Sequence, residues 1–389
     1  MTTAIEVHGV CDSRFSAVKD AFAENFPTYG EVGAAVAVTL DGQPVVDLWA
    51  GHADAARSRP WEQDTIVNVY STTKGMIAIC AHRLVDQGRL DLDAPVAKYW
   101  PEFAQAGKEE LPVRYLLSHR AGLPAVSDPL PPGSIYDWDV MTAALAKQEP
   151  WWEPGTKHGY HALTFGWLVG EVIRRASGKS PGAYFREEIA EPLGLDFHIG
   201  LAQEHDARTA EIIPAPLPQP GDANPLVEVL ANPGSMAFKA LVPSPDMMQP
   251  GHVNTREWRA AEIPAANGHG DARSLARVYG ALARGGELDG VRVLSPVAID
   301  RAIVEQSNGP DAVLLLPMRF GLGFILSMEE APIGPNERAF GHAGMGGSLG
   351  FADPDAKVGF GYVMNRMLLP PELIDPRWPP LIDALYASL

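Results

Sequence analysis

The stretch Val69-Tyr70-Ser71-Thr72-Thr73-Lys74-Gly75-Met76 decides how this chain is read. Just before it, Thr65 to Tyr70 (TIVNVY) is rich in β-branched residues and reads as a short strand. Beyond it, Met76, Ile77, Cys80, Leu84 and Val85 recur at helical spacing. Ser71 and Lys74 therefore share one face of a first helical turn, where an amine reaches a hydroxyl. The helix N-terminus adds positive potential at the place where an oxyanion would develop. A nucleophile with its base attached is the chemistry this pair offers. Spacing alone is a weak signal, because Ser16-Ala17-Val18-Lys19 repeats it. That second pair falls in an amphipathic helix with the apolar stripe Phe15, Val18, Phe22 and Phe26, and reads as surface.

Composition narrows the classes. The chain has 389 residues, 46% of them hydrophobic and 20% charged, which is globular and long enough for one large domain or two lobes. A formal charge of −17 disfavours nucleic acid and anionic membrane, both of which need Lys/Arg-rich surfaces. There is no apolar run of membrane-spanning length and no basic, then apolar leader in MTTAIEVHGV, so the expectation is a cytoplasmic enzyme with no membrane partner. Cys11 and Cys80 read as free thiols of a reducing compartment.

Outward from Ser71, the order of elements is helix, strands, a mainly helical middle, then strands. Val32–Leu40 and Gln43–His52 flank Asp41-Gly42, a hairpin signal. Helical patterns dominate from about Val113 to Glu191, including Leu163–Arg175 and Pro181–Glu188. Residues 201–253 lose periodicity, with nine prolines from Pro214 to Pro250, and read as a lid or irregular insertion over a cleft. A helix at Ala272–Arg284 leads into strand-like runs at Phe320–Met328, Gly347–Ala352 and Val358–Asn365. The expected fold class is α+β: one domain over 1–389, with an antiparallel sheet from both chain ends flanked by helices. Residues 1–90 and 270–389 would form the sheet lobe and 91–269 the helical lobe.

A serine–lysine centre also needs a proton relay and oxyanion donors. Tyr160, in the glycine-punctuated loop Pro154–Ala162, is the candidate relay, with its phenol acidified by a protonated lysine beside it. Gly341-His342-Ala343-Gly344-Met345-Gly346-Gly347-Ser348-Leu349-Gly350 implies close backbone approach to a ligand or a tight turn. Within it, Gly346-Gly347-Ser348-Leu349-Gly350 matches the nucleophile elbow of α/β-hydrolases. That fold needs a histidine after the serine, and all eleven histidines precede Ser348. His158 and His161 lack the further ligands of a zinc motif, so no metal is expected. His119 reads as a structural hydrogen-bonding residue, and Trp152, next to Trp151, as a candidate wall of an acyl pocket.

Ser71-Thr-Thr-Lys74, Tyr160-His-Ala162 and His342-Ala-Gly344, in that order, resemble the three motifs of the serine β-lactamase and penicillin-binding-protein superfamily. The closest likeness is to class C β-lactamases and family VIII carboxylesterases, and it runs from about Phe15 to Met367. It includes Leu116-Leu-Ser-His-Arg-Ala-Gly-Leu123 and Asn267-Gly-His-Gly270. The resemblance implies a β-lactamase/DD-peptidase-like fold, Ser71 as nucleophile, Lys74 as base or relay and Tyr160 in proton transfer. It further implies an oxyanion hole of the Ser71 and Met345 amides, with no cofactor; His342, Ala343 and Gly344 are candidate substrate contacts, His342 being open between that role and a structural one. His342-Ala343-Gly344 replaces the Lys-Thr-Gly of β-lactamases, removing a cation and a hydroxyl suited to a β-lactam carboxylate. The expectation is hydrolysis of small carboxylic esters through an acyl-Ser71 intermediate. Class C-like β-lactamase action, acyl transfer and a catalytically silent binding protein are the alternatives, and the oligomeric state is left open.

Overall fold

The computed structural model describes residues 5–371 and 374–389. Nine strands form one antiparallel sheet: β1 Val7–Cys11, β2 Gly33–Leu40, β3 Gln43–Gly51, β4 Ser307–Pro310, β5 Pro317–Phe320, β6 Ile325–Leu326, β7 Phe340–Ala343, β8 Leu349–Asp353 and β9 Val358–Met364. Their order is β1-β3-β2-β9-β8-β7-β6-β5-β4. The two ends of the chain meet where β2 pairs with β9, in the register Ala37 to Gly361 and Ala35 to Val363. The sheet is thus assembled from both termini, as the sequence implied.

Strand β9 shows how the layers are fixed. Side chains alternate across a strand, and here glycine alternates with aromatics: Gly359 and Gly361 on one face, Phe360 and Tyr362 on the other. A Cβ at Gly359 or Gly361 would collide with Ala276 or Ala272 backbone, so the missing side chains let α5 (Ala272–Ala283) lie directly on the strand. Tyr362 points the other way, toward Asn25 of α1 (Ser16–Tyr29) and the Arg377 guanidinium, 5.9 Å above its ring. α1 buries Val18, Phe22 and Phe26 and packs beside the C-terminal helix α6 (Trp378–Ala387).

The helix that follows Ser71, α2 (Thr73–Asp86), is buried on nearly every side. It packs against α4 (Thr164–Ser177) of the helical middle, which also contains α3 (Trp138–Lys147), and against β7 of the sheet. A helix buried on nearly every side belongs between two layers, and this one sets Ser71 at their junction.

Four local readings are corrected. Of Thr65–Tyr70 only Val67–Asn68 is strand, and Tyr70 takes φ +44°, turning the chain sharply into the Ser71 helix. Phe320–Met328 is two strands, β5 and β6, joined by a turn containing Gly321 and Gly323. Pro181–Glu188 is α-helical only to Phe185 and then widens to a π-helix at Arg186–Ala190, where Pro192 has no amide to close an α-helical bond to Glu188. Residues 201–253 carry short helices at Pro225–Ala231 and Met236–Leu241, held by packing too local to show as a long period.

Candidate active site

Ser71 sits in the single turn Tyr70–Thr72 that opens α2, half-buried, with its Oγ 3.0 Å from Lys74 Nζ. A non-glycine residue at positive φ costs on the order of 1–3 kcal/mol, so Tyr70 stores strain directly before the serine. Short strands at Val67–Asn68, His269–Gly270 and Phe197–His198 brace this turn, with Val69 N donating to Gly268 O at 2.9 Å. The Asn267-Gly-His-Gly270 motif has a structural part here. Asn267 is fully buried, accepts from Ile263 N and donates to Trp258 O and Ala261 O, folding the turn that delivers Ala265 to the site.

Lys74 is wholly buried, and burial holds its amine well below the ordinary lysine range, with no carboxylate to counter it. Nζ lies 2.7 Å from Ala162 O and 3.0 Å from Ala265 O. A neutral amine has two N–H donors and one lone pair. In that form the two carbonyls would take both donors and leave the lone pair for the Ser71 hydroxyl hydrogen.

Tyr160 stands beside the pair, with its ring centroid 4.7 Å from Lys74 Nζ and its hydroxyl close enough to the Ser71 side chain to feel it. The expected acidified phenol is a correction. Burial raises the Tyr160 pKa, outweighing the lowering by the Ser71 side chain. Tyr160 therefore rests as a protonated phenol. Its backbone is pinned by Asp311, whose Oδ1 accepts from Tyr160 N at 3.0 Å and from Val313 N and Leu314 N at 2.8 Å each. Its ring stacks on Phe320 at 6.1 Å.

Histidines surround this centre as neutral rings. His119 Nδ1 accepts from the His161 amide at 3.1 Å, the structural role the sequence suggested, and burial pushes its pKa well down. Burial also pushes His161 and His342 down to about 3. Among the described residues no group of three or more His, Cys, Asp or Glu side chains is arranged to hold a metal ion.

Strand β7 brings His342 and Ala343 alongside Ser71, and Gly344 to Gly347 form the turn beyond it, closed by Gly347 N to Gly344 O at 3.1 Å. A Cβ at Gly344 would strike Ser348 Oγ and Val69 O, so only glycine fits between the two strips of backbone. The Met345 amide donates to no protein group among the described residues, while its side chain is exposed at the cavity mouth. Ser348 is buried, with Oγ donating to Val69 O at 2.7 Å and lying 2.9 Å from Thr72 Oγ1. It ties the glycine turn to the Ser71 turn, and the nucleophile-elbow reading falls.

Trp152 is a second correction. It does not border the cavity at Ser71; its indole N–H donates to Lys157 O at 3.1 Å and its ring packs edge-on against His161, under the Tyr160 loop. A large ring beside a loop was the only signal, and packing accounts for it. Conversely, the Ala162 and Ala265 carbonyls act through backbone, which leaves no mark in side-chain type, and Asp311 lies too far along the chain to be associated with Tyr160 by spacing.

The cavity that opens on Ser71 is about 1080 Å³. Residues 18–378 match the family model described as Beta-lactamase, and the chain belongs to that family. It is 43% identical over 380 residues to the "Esterase/beta-lactamase LipL" of Mycobacterium tuberculosis (strain ATCC 25618 / H37Rv), covering 95% of this chain and 85% of that protein. A family VIII carboxylesterase crystal structure superposes with a TM-score of 0.90 at 45% identity, covering 99% of this chain and 100% of the other. A penicillin-binding protein homologue from Caulobacter crescentus superposes at 0.87 with 43% identity and the same coverages. These relatives support serine hydrolase activity in this chain. No helix among the described residues is long and apolar enough to cross a membrane.

Proposed function

We propose that the protein is a carboxylesterase that cleaves neutral esters through an acyl-enzyme on Ser71. The observation that carries this reading is the Lys74 amine, buried without a carboxylate, held well below the ordinary lysine range and 3.0 Å from Ser71 Oγ. As Ser71 Oγ bonds to the ester carbonyl carbon, its proton passes to Lys74. The Ser71 and Met345 amides meet the oxyanion, each contributing roughly 3 kcal/mol to the transition state. Collapse breaks the bond to the alcohol oxygen, which takes that proton through the Tyr160 hydroxyl. Water then adds to the acyl carbon by the same relay, releasing the carboxylic acid and restoring Ser71.

An ester suits this site better than a β-lactam. Among the described residues no Lys or Arg side chain borders the cavity, and Ala343 offers a methyl where a hydroxyl would bind a substrate carboxylate. The names of two relatives, an esterase/β-lactamase and a family VIII carboxylesterase, are consistent with this preference.

The test is turnover of p-nitrophenyl butyrate by wild type and by Ser71→Ala at matched folded concentration. We expect the alanine variant to lose at least three orders of magnitude in kcat. Activity surviving in Ser71→Ala removes Ser71 as the nucleophile. Cleavage of a cephalosporin faster than of the ester replaces the esterase reading with the β-lactamase one.

A further inference from the structure

The cavity at Ser71 is larger than a short ester requires. Pockets for drug-sized ligands hold roughly 300–1,000 Å³, and this one reaches about 1080 Å³. It runs from Ser71 and Tyr160 past Val229 and Leu241 of the 201–253 segment to Trp378 and Ile382 of α6. Six of the chain's eleven methionines border it: Met247, Met248, Met318, Met328, Met345 and Met367. Unbranched thioether chains fit themselves to flexible apolar guests.

Two further observations point the same way. Leu217, Met248 and Met345 are about half exposed, and all three stand at this cavity, giving it an apolar rim. The covering segment is also anchored in the site. Val229, Ala237 and Ala240 form an apolar cluster with Tyr160, Ala162 and Phe320, separate from the main core. Its neck is clasped by Asn254, which accepts from Ile212 N at 2.8 Å and donates to Ile212 O at 2.9 Å. Ile213 in turn exchanges hydrogen bonds with Asn365 O and Met367 N at the end of β9. The segment is therefore a fixed apolar roof over the serine.

Resting on the esterase reading, we infer that the substrates are uncharged esters with one long aliphatic limb, laid along the methionine-lined cavity under residues 213–253. Burying each methylene is worth about 0.8 kcal/mol, or three- to fourfold in kcat/KM, until the limb fills the space.

The experiment is a chain-length series below micellar concentrations, with p-nitrophenyl alkanoates of two to fourteen carbons and, separately, acetates of alkanols of the same lengths. We expect kcat/KM in one series to climb about three- to fourfold per methylene to a maximum at eight carbons or more. The series that climbs says whether the limb is acyl or alkyl. Leu230→Trp, which adds bulk to the cavity wall supplied by the 201–253 segment, should move that maximum to shorter esters. Should that variant not fold, free alkanols tested on wild type should inhibit p-nitrophenyl acetate turnover competitively, with Ki falling about three- to fourfold per methylene. Rates highest at two to four carbons, with alkanol inhibition independent of length, overturn the inference and leave the esterase reading intact. Failure to turn over any ester, with no acylation of Ser71, overturns the esterase reading itself.

Discussion

A lysine amine taken out of water releases its proton unless a carboxylate or hydroxyl network holds it, and Lys74 faces two carbonyls and a serine. That gives its protonation a measurable thermodynamic trace. An unfolded lysine titrates near about 10.4, and the folded Lys74 well below its usual value. Between those two values the unfolded chain binds one proton more than the native state. Native stability therefore falls as pH drops below about 10 and through that window. Compared with Lys74→Met, wild type should gain up to about 1.4 kcal/mol per pH unit as pH rises through the window, the two curves running parallel above it. Denaturant unfolding from pH 6 to 11 makes the comparison. Parallel curves throughout would mean that the folded lysine keeps its proton, and would remove it as the resting base. On the same argument the acid limb of kcat/KM lies well below the titration of an exposed lysine.

Among the elements, the site depends on two turns meeting edge to edge, and Ser348 is the clip between them. Its hydroxyl serves Val69 O and Thr72 Oγ1, both buried, so Ser348→Ala strips Thr72 Oγ1 of its partner and leaves Val69 O only the Thr72 amide, at a cost of about 1–3 kcal/mol. We expect a lower melting temperature and reduced turnover, with a phosphonate ester still labelling Ser71 stoichiometrically; loss of labelling in a folded variant would contradict the assignment of Ser348 as a clip. The element scale is also where the sequence was most and least legible. Helices α2, α4 and α5 and strands β2, β3, β8 and β9 carry patterns set by burial on one or both faces, and these show in a linear reading. β1 exposes most of its side chains, and α6 is a short stretch that begins with two prolines. β1 lacks the periodic burial that would mark it, whereas α6 buries Trp378, Leu381, Ile382 and Leu385 at helical spacing, a short stripe masked by Pro379 and Pro380 in its first turn. Ser71, Lys74 and Tyr160 were legible because their chemistry is in the side chain. The amine's carbonyl partners and the Asp311 anchor were not, since both arise from contacts between segments far apart in sequence.

Across the whole molecule, the two chain ends converge behind the turn that carries the Met345 amide. Arg377 is buried there between Glu31, at the start of the sheet, and Asp375, with Nε 2.7 Å from Asp375 Oδ1 and Nη1 donating to Glu31 and to Arg366 O. Its Nη2 donates to Gly346 O, and the neighbouring Trp378 indole donates to Gly347 O at 2.7 Å. The C-terminal segment thus holds two successive carbonyls of the turn that carries the Met345 amide. Burial pushes Glu31 upward and the guanidinium opposes it, so this carboxylate is held in place by Arg377. Removing one partner of a buried pair strands the other. Arg377→Met should therefore cost about 3–5 kcal/mol of stability, measurable by denaturant unfolding at low temperature. Arg377→Lys should recover only part of that loss, because an ammonium lacks the planar fork that reaches Asp375, Glu31 and Gly346 together. If the latch also aims the oxyanion donor, the folded lysine variant should lose about ten- to a hundredfold in kcat with KM nearly unchanged, since the loss falls on the transition state. Equal losses in kcat and in substrate affinity would instead mean that the cavity wall had shifted. Unchanged kinetics in a destabilised but folded variant would confine the cluster to holding the chain ends together.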